Sequence, residues 1–246
     1  MPTTPDRPVH PPSAHLRLAR VEAIDTGSLD WLTDEERRRF DGMASAERRD
    51  SFLAGHRLAR ELGAEWHGVA FTRVSVGRLV DGRPCLRVDG SASPLSISLS
   101  HSGGWILAGI AEAPIGVDVE VPRRARDTLA LARHVFAPEE VERLQLLPAA
   151  SRLGAFHETW ALKEARGKQG GAGLLPSRSR RCCAHPATDT PMQALSWRLG
   201  DDGAVAIALD GCEGLRLDDA GVLSTRKSWR FADATQAAGM HRLEDR

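Results

Sequence analysis

The segment Gly116-Val117-Asp118-Val119-Glu120 limits the architecture more than any other, because its β-branched and acidic residues alternate strictly. A strand turns alternate side chains to opposite faces, so Asp118 and Glu120 share one face and Val117 and Val119 the other. Ile115 and Val121 extend the apolar side, leaving one uniformly acidic face. About forty residues on, Trp160-Ala161-Leu162-Lys163-Glu164-Ala165-Arg166-Gly167-Lys168 predicts a helix on which Trp160, Glu164 and Lys168 stack along one stripe. Three carboxylates with a nearby ammonium suit a hard divalent metal that holds a phosphate ester.

Composition narrows the function classes. Lys plus Arg and Asp plus Glu both number 33, giving a formal net charge of zero. No global field therefore draws nucleic acid, and any anion site has to be local. The Pro- and His-rich start, residues 1–14, has no signal-peptide core, and no stretch approaches a membrane span. A cytoplasmic protein with a disordered tail is expected. Cys85, Cys182, Cys183 and Cys212 are too few and too irregular for a disulfide framework or a zinc knuckle. The chain has no tyrosine, so no phenolic acid or base is available.

Along the chain, Asp30 to Glu65 predicts two helices, the first capped at Thr33-Asp34-Glu35-Glu36. Val74 to Val80 and Pro84 to Val88 flank Asp81-Gly82, a hairpin turn signal. Leu95 to Leu99 alternates and predicts a strand ending at Ser100-His101-Ser102-Gly103-Gly104, and the apolar run Trp105 to Ala111 stops at Ala113-Pro114. Pro138-Glu139-Glu140 opens a helix, Leu153 to Lys168 forms the next, and beyond Gly173 only Ala204 to Leu209 and Leu215 to Leu217 resemble strands. The order predicts an α+β fold with two lobes meeting near Pro114: a tail at 1–14, an N-terminal lobe at 15–114 and a C-terminal lobe at 115–246 that carries the metal site.

Each candidate has a plainer alternative. Asp118 and Glu120 could be a solvated strand face, and Glu164 with Lys168 an exposed ion pair contributing a few tenths of a kcal/mol. Trp160 one turn before Glu164 argues instead for a half-buried face. Ser100-His101-Ser102 is no hydrolase triad, since neighbours on an extended segment diverge and no Gly-x-Ser-x-Gly elbow is present. His101 beside two glycines suits an anion contact. Gly170-Gly171-Ala172-Gly173 lacks the Lys-Ser/Thr ending of a P-loop. Arg83, in a tight turn, is the favoured phosphate contact over the arginines of the first helices, most of which read as a solvated charge run.

Taken in order, Gly82-Arg83-Pro84, Ser100-His101-Ser102, Gly116-x-Asp118-x-Glu120, Phe136-Ala137-Pro138-Glu139-Glu140 and Trp160-x-x-Lys163-Glu164-Ala165-x-x-Lys168 resemble the Sfp-type 4′-phosphopantetheinyl transferases over roughly Leu29 to Leu174. The resemblance implies a pseudo-twofold pair of similar α+β lobes with a cleft between them that binds coenzyme A and Mg²⁺, with Mn²⁺ as an alternative. It implies transfer of the phosphopantetheine arm to a serine of an apo acyl or peptidyl carrier protein of fatty acid, polyketide or nonribosomal peptide assembly, with release of 3′,5′-ADP. By the same resemblance Asp118, Glu120 and Glu164 hold the metal, and Lys168 stabilises or protonates the leaving nucleotide. Arg83, Ser100 and His101 contact the nucleotide end, chiefly its 3′-phosphate, and Lys163 lies near the pyrophosphate. Glu164 would serve as base for the serine hydroxyl, directly or through a metal-bound water.

Two departures stand out. Near Thr33 and Glu36 the family often has basic residues that approach the coenzyme A phosphates, and here those positions are not basic, so either Arg37 to Arg39 substitute or the register has shifted. After Leu174, Arg180-Arg181-Cys182-Cys183 and polar loop replace the expected strand-rich ending, which predicts a locally rebuilt lobe. A metal-dependent phosphoesterase would use the same acids with water as acceptor, and a non-catalytic carrier-binding module would need none of them. Two lobes on one chain complete the cleft, so a monomer is expected, with carrier protein and coenzyme A as partners and neither nucleic acid nor membrane.

Overall fold

The computed structural model describes residues 13–122, 127–188, 191–211 and 214–234. The strands are β1 (Ser13–Arg20), β2 (Val74–Arg78), β3 (Pro84–Val88), β4 (Ser91–Ala92), β5 (Ser96–Ser102), β6 (Trp105–Ala111), β7 (Gly116–Glu120), β8 (Cys182–Pro186), β9 (Ala194–Leu199), β10 (Gly203–Ala208), β11 (Gly214–Asp218) and β12 (Leu223–Asp233). The helices are α1 (Asp34–Asp41), α2 (Ala46–His67), α3 (Thr128–Val135), α4 (Pro138–Leu146), α5 (Ala149–Gln169) and α6 (Pro176–Ser179). This is an α+β fold, as expected.

Local chemistry explains the helix ends. Thr33 and Glu36 form a reciprocal capping box on α1, the Thr33 hydroxyl accepting from Glu36 N–H while Glu36 accepts from Thr33 N–H. Ser45 caps α2, and Gly68 ends it in the left-handed conformation, φ 63°. The apolar stripe of α2 (Ala54, Leu58, Ala59, Leu62) packs on Leu86, Ile106, Ala108 and Ile110.

A four-stranded sheet runs β11-β1-β6-β5, and a five-stranded one runs β7-β10-β9-β12-β8. The first takes its edge strand from beyond residue 213, where β11 pairs in parallel with β1. A shared apolar core (Leu16, Leu18, Leu107, Val117, Val119, Trp197, Val205, Ile207) lies between the sheets. Helix α5 lies on the other face of the second sheet, where Ala161 and Ala165 meet Ala204, Ala206 and Ala208. Side chains this small let helix and sheet backbones approach closely.

Several expectations need correction. Strand β1 precedes the helices, and it includes Ser13 and Ala14 of the expected tail, whose residues 1–12 lie outside those described. Strand β5 runs on through Ser100, His101 and Ser102 before turning at Gly103-Gly104. The segment after Leu174 is not polar loop: Cys182 and Cys183 start β8, which pairs with β12 and buries Cys183 and Ala184.

Candidate active site

Gly116 decides how the acidic strand and the helix meet. A Cβ there would lie 1.9 Å from the Ala165 carbonyl oxygen and 2.5 Å from Gln169 N, so only glycine lets α5 rest on β7. That approach brings Lys168 Nζ to 2.7 Å from Asp118 Oδ1 and 3.0 Å from the Val117 carbonyl. Asp118 is buried, and its Oδ1 also accepts from Ser100 Oγ at 2.7 Å. Its Oδ2 is buried with no hydrogen-bond partner.

The electrostatics tie the acids into one neighbourhood. Burial raises the Asp118 carboxyl, opposed by the Lys168 ammonium and the Ser100 hydroxyl. Glu120 is pushed up to about 7, first by burial, then by the Asp118 charge. Glu164 is raised by burial and again by Asp118, with Lys168 opposing. Lone carboxylates in a half-dry site repel one another, and a cation relieves both burial and repulsion. Among the described residues, no three His, Cys, Asp or Glu side chains are gathered into a metal cluster. The expected convergence of three protein ligands is therefore not formed by side chains alone. The donors still suit Mg²⁺, which keeps waters and shares carboxylates with a substrate phosphate, and the orphaned Asp118 Oδ2 offers it a buried oxygen.

Lys163, expected near the pyrophosphate, is held within the fold. It is buried, pairs with Glu140 Oε2 at 2.7 Å, and donates to the Ser179 carbonyl at 2.8 Å and to that of Cys182. One position from Glu164 on a helix is a rotation of about 100°, which turns Lys163 away from the acids. Glu140 itself caps α4 through Ala137 N–H and accepts from Ala184 N–H, so this pair staples α4, α5 and β8 together. Ser100 is also diverted, its hydroxyl facing Asp118 rather than open space.

Two cavities gather the cationic candidates, one lined by Lys168 and Arg83 and the other by His101. The larger, about 610 Å³, is lined by Arg83, Pro84, Pro94, Ile115, Lys168 and Gly171. Arg83 stands at its edge, braced by Asp81 at 2.7 Å and close to Gly171. The Gly170–Gly173 loop folds back there because Gly167 has no side chain: a Cβ would lie 2.4 Å from the Gly173 carbonyl oxygen. The second cavity, about 460 Å³, gathers Arg39, Arg48, Arg78, His56 and His101. Burial and the Arg78 charge pull Arg39 below its usual range, so these cations gain from an anion between them. His56 donates from Nδ1 to Glu36 at 2.8 Å, and Glu36 also pairs with the buried Arg60. Arg78 and His56 carry no signal for an anion site in the sequence: only the fold brings them, from β2 and α2, into one cavity with His101.

Comparison with known proteins bears directly on this site. A family profile described as the 4′-phosphopantetheinyl transferase superfamily matches residues 114–208, which hold both motifs. The chain is 30% identical to the 4′-phosphopantetheinyl transferase HetI of Nostoc sp. over 181 residues, covering 71% of this chain and 76% of that protein. The chain belongs to the 4′-phosphopantetheinyl transferase superfamily. A 4′-phosphopantetheinyl transferase of Bacillus subtilis is 31% identical over 162 residues, 65% of this chain and 64% of its own length. Sfp of Bacillus subtilis strain 168 is 25% identical over 190 residues, 72% of this chain and 76% of Sfp. The matched segment runs from two residues before β7 to the end of β10, so it contains Asp118, Glu120, Glu164 and Lys168.

Proposed function

We propose that the chain transfers 4′-phosphopantetheine from coenzyme A to a serine hydroxyl of an apo carrier protein, with Mg²⁺, releasing 3′,5′-ADP. The observation that carries the proposal is the pairing of Asp118, one oxygen clamped and one orphaned, with Lys168 at the edge of the larger cavity. Asp118, Glu120 and Glu164 would hold the metal. When bound, it supplies charge neutralisation at the diphosphate. Phosphoryl transfer asks for an in-line nucleophile and charge stabilisation, and no protein nucleophile is required.

The chain's own residues divide the remaining work. Glu164, whose carboxyl is raised by its surroundings, accepts the proton of the incoming serine hydroxyl. Lys168 delivers positive charge, and a proton, to the departing phosphate oxygen. Arg83 and the larger cavity receive the nucleotide, and His101 with Arg39 and Arg78 receives its phosphate. Lys163 has no part beyond holding the fold.

Incubating the enzyme with coenzyme A and Mg²⁺, with and without apo carrier, tests the proposal. Coenzyme A consumed only when carrier is present supports transfer. Consumption without carrier assigns a phosphoesterase instead, and carrier binding with no consumption assigns a docking module.

A further inference from the structure

The acidic strand β7 lies at an edge: its backbone pairs with β10 on one side only. The other side faces β5, the edge of the four-stranded sheet, and the two backbones do not form a ladder. Edge N–H groups this deep need acceptors. They find them in a row of serines. Ser96, Ser98, Ser100 and Ser102 share one face of β5 by strand alternation, and their hydroxyls accept in turn from Ile115, Val117, Val119 and Val121 N–H at 3.2, 3.0, 3.3 and 3.3 Å.

The upper two rungs do more than the lower two. Ser100 Oγ donates to Asp118 Oδ1 at 2.7 Å, and Ser102 Oγ donates to Glu120 Oε2 at 3.3 Å. A serine hydroxyl has one proton and two lone pairs, so each can accept the backbone N–H and direct its proton at the carboxylate in front of it. Ser98 and Ser96 lie opposite Val117 and Ile115, with no acid to orient. The register is held at the far end by Gly103, where a Cβ would lie 2.3 Å from Val121 Cγ2.

We infer that Ser100 and Ser102 are positioning residues for the metal-binding carboxylates, fixing Asp118 and Glu120 from the neighbouring sheet. Ser100 acts together with Lys168: both bind Oδ1, which turns the orphaned Oδ2 outward from the clamp. The rotamer is held before any cation arrives, and preorganised outer partners of this kind commonly change metal affinity by about 10–100-fold. This inference rests on the proposed role of Asp118 and Glu120 as metal ligands.

The test is Mn²⁺ affinity of the full chain, read by electron paramagnetic resonance of free Mn²⁺ with coenzyme A present and carrier absent, so that no turnover occurs. Ser98→Ala, Ser100→Ala and Ser102→Ala each strand one backbone N–H and should lower the melting temperature similarly. Only the latter two should weaken Mn²⁺, Ser100→Ala by about 10-fold or more and Ser102→Ala by less, following its longer bond. Ser100→Ala binding Mn²⁺ as tightly as Ser98→Ala overturns the inference. Asp118→Asn separates the levels: if it leaves Mn²⁺ affinity intact, the ligand assignment fails and the inference with it. If it weakens Mn²⁺ while both serine variants do not, only the positioning role fails. Should Ser100→Ala not fold, Ser102→Ala against Ser98→Ala decides by the same comparison.

Discussion

Gly116→Ala is the sharpest perturbation the fold offers, because one added carbon falls between a strand and a helix backbone. The new Cβ would stand 1.9 Å from the Ala165 carbonyl oxygen, against an ordinary contact of at least 3.4 Å. The obstruction is backbone, so α5 itself has to move by about 1.5 Å, the difference between those two distances. Overpacking of this kind costs about 1–3 kcal/mol. For a chain of this length that corresponds to a melting temperature lower by roughly 2–12 °C, at about 2–4 °C per kcal/mol. The same movement would lengthen the Lys168–Asp118 contact from 2.7 Å beyond hydrogen-bond reach. A misplacement near 1 Å can cost about 100-fold in rate. The assays are a thermal melt and initial rates of carrier modification at a temperature where both proteins are folded. Gly68→Ala is the control: its φ of 63° makes alanine strained, with nothing within 4 Å, so it should cost about 1–2 kcal/mol and leave the rate alone. Wild-type melting and wild-type rate in Gly116→Ala would refute the claim that this glycine sets the site.

Other perturbations separate structural from chemical roles. Lys163→Met leaves Glu140 buried without its partner and should cost about 3–5 kcal/mol, with the KM for coenzyme A unchanged in the folded protein; a raised KM would restore Lys163 to the nucleotide. Arg39→Ala or Arg78→Ala should raise the KM for coenzyme A by about 10-fold, the equivalent of one charge-assisted hydrogen bond, and leave that for dephospho-coenzyme A unchanged, since it lacks the 3′-phosphate. Equal losses for both substrates would place the phosphate elsewhere. Glu36 is lowered from 4.5 to about 2 against burial, by hydrogen bonds from His56 and Thr33 and by the Arg60 charge. Its folded value lies below its unfolded one, so its contribution, about 3 kcal/mol, is complete above about pH 4.5 and disappears as pH falls toward 2. Denaturant titrations across that window should show a steeper decline in wild type than in Glu36→Gln, and parallel curves would contradict the linkage.

How much of this was legible in the sequence depends on how local the signal is. The hairpin at Asp81-Gly82, the capping box at Thr33 and the alternating face of β7 depend on near neighbours, and all three are present in the structure. Strand β1 was overlooked, although Ala14, Leu16 and Leu18 alternate with His15 and Arg17 and are buried in turn. Strands β8 and β9 are short and their burial does not alternate, so neither displays a period. For the candidate site, spacing singled out Asp118, Glu120, Glu164 and Lys168, whose charges act on one another in the structure. What it could not supply was direction across space. Lys163 and Glu164 are neighbours in the chain, yet one staples α4 to β8 and the other is raised by the Asp118 charge. The serines of β5 were visible as alternation, but their partners are 18 and 19 residues away on another sheet.

The central claim, transfer of an intact phosphopantetheine arm at the Asp118 centre, is tested most directly by intact-protein mass spectrometry of an apo carrier incubated with coenzyme A, Mg²⁺ and enzyme. The expected result is a mass increase of one phosphopantetheine. It should be absent when the acceptor serine is alanine, when a chelator removes the metal, or when the enzyme carries Asp118→Ala with its fold retained. A carrier left unmodified by the wild-type enzyme across several carrier types, or modified equally well by Asp118→Ala, contradicts the account.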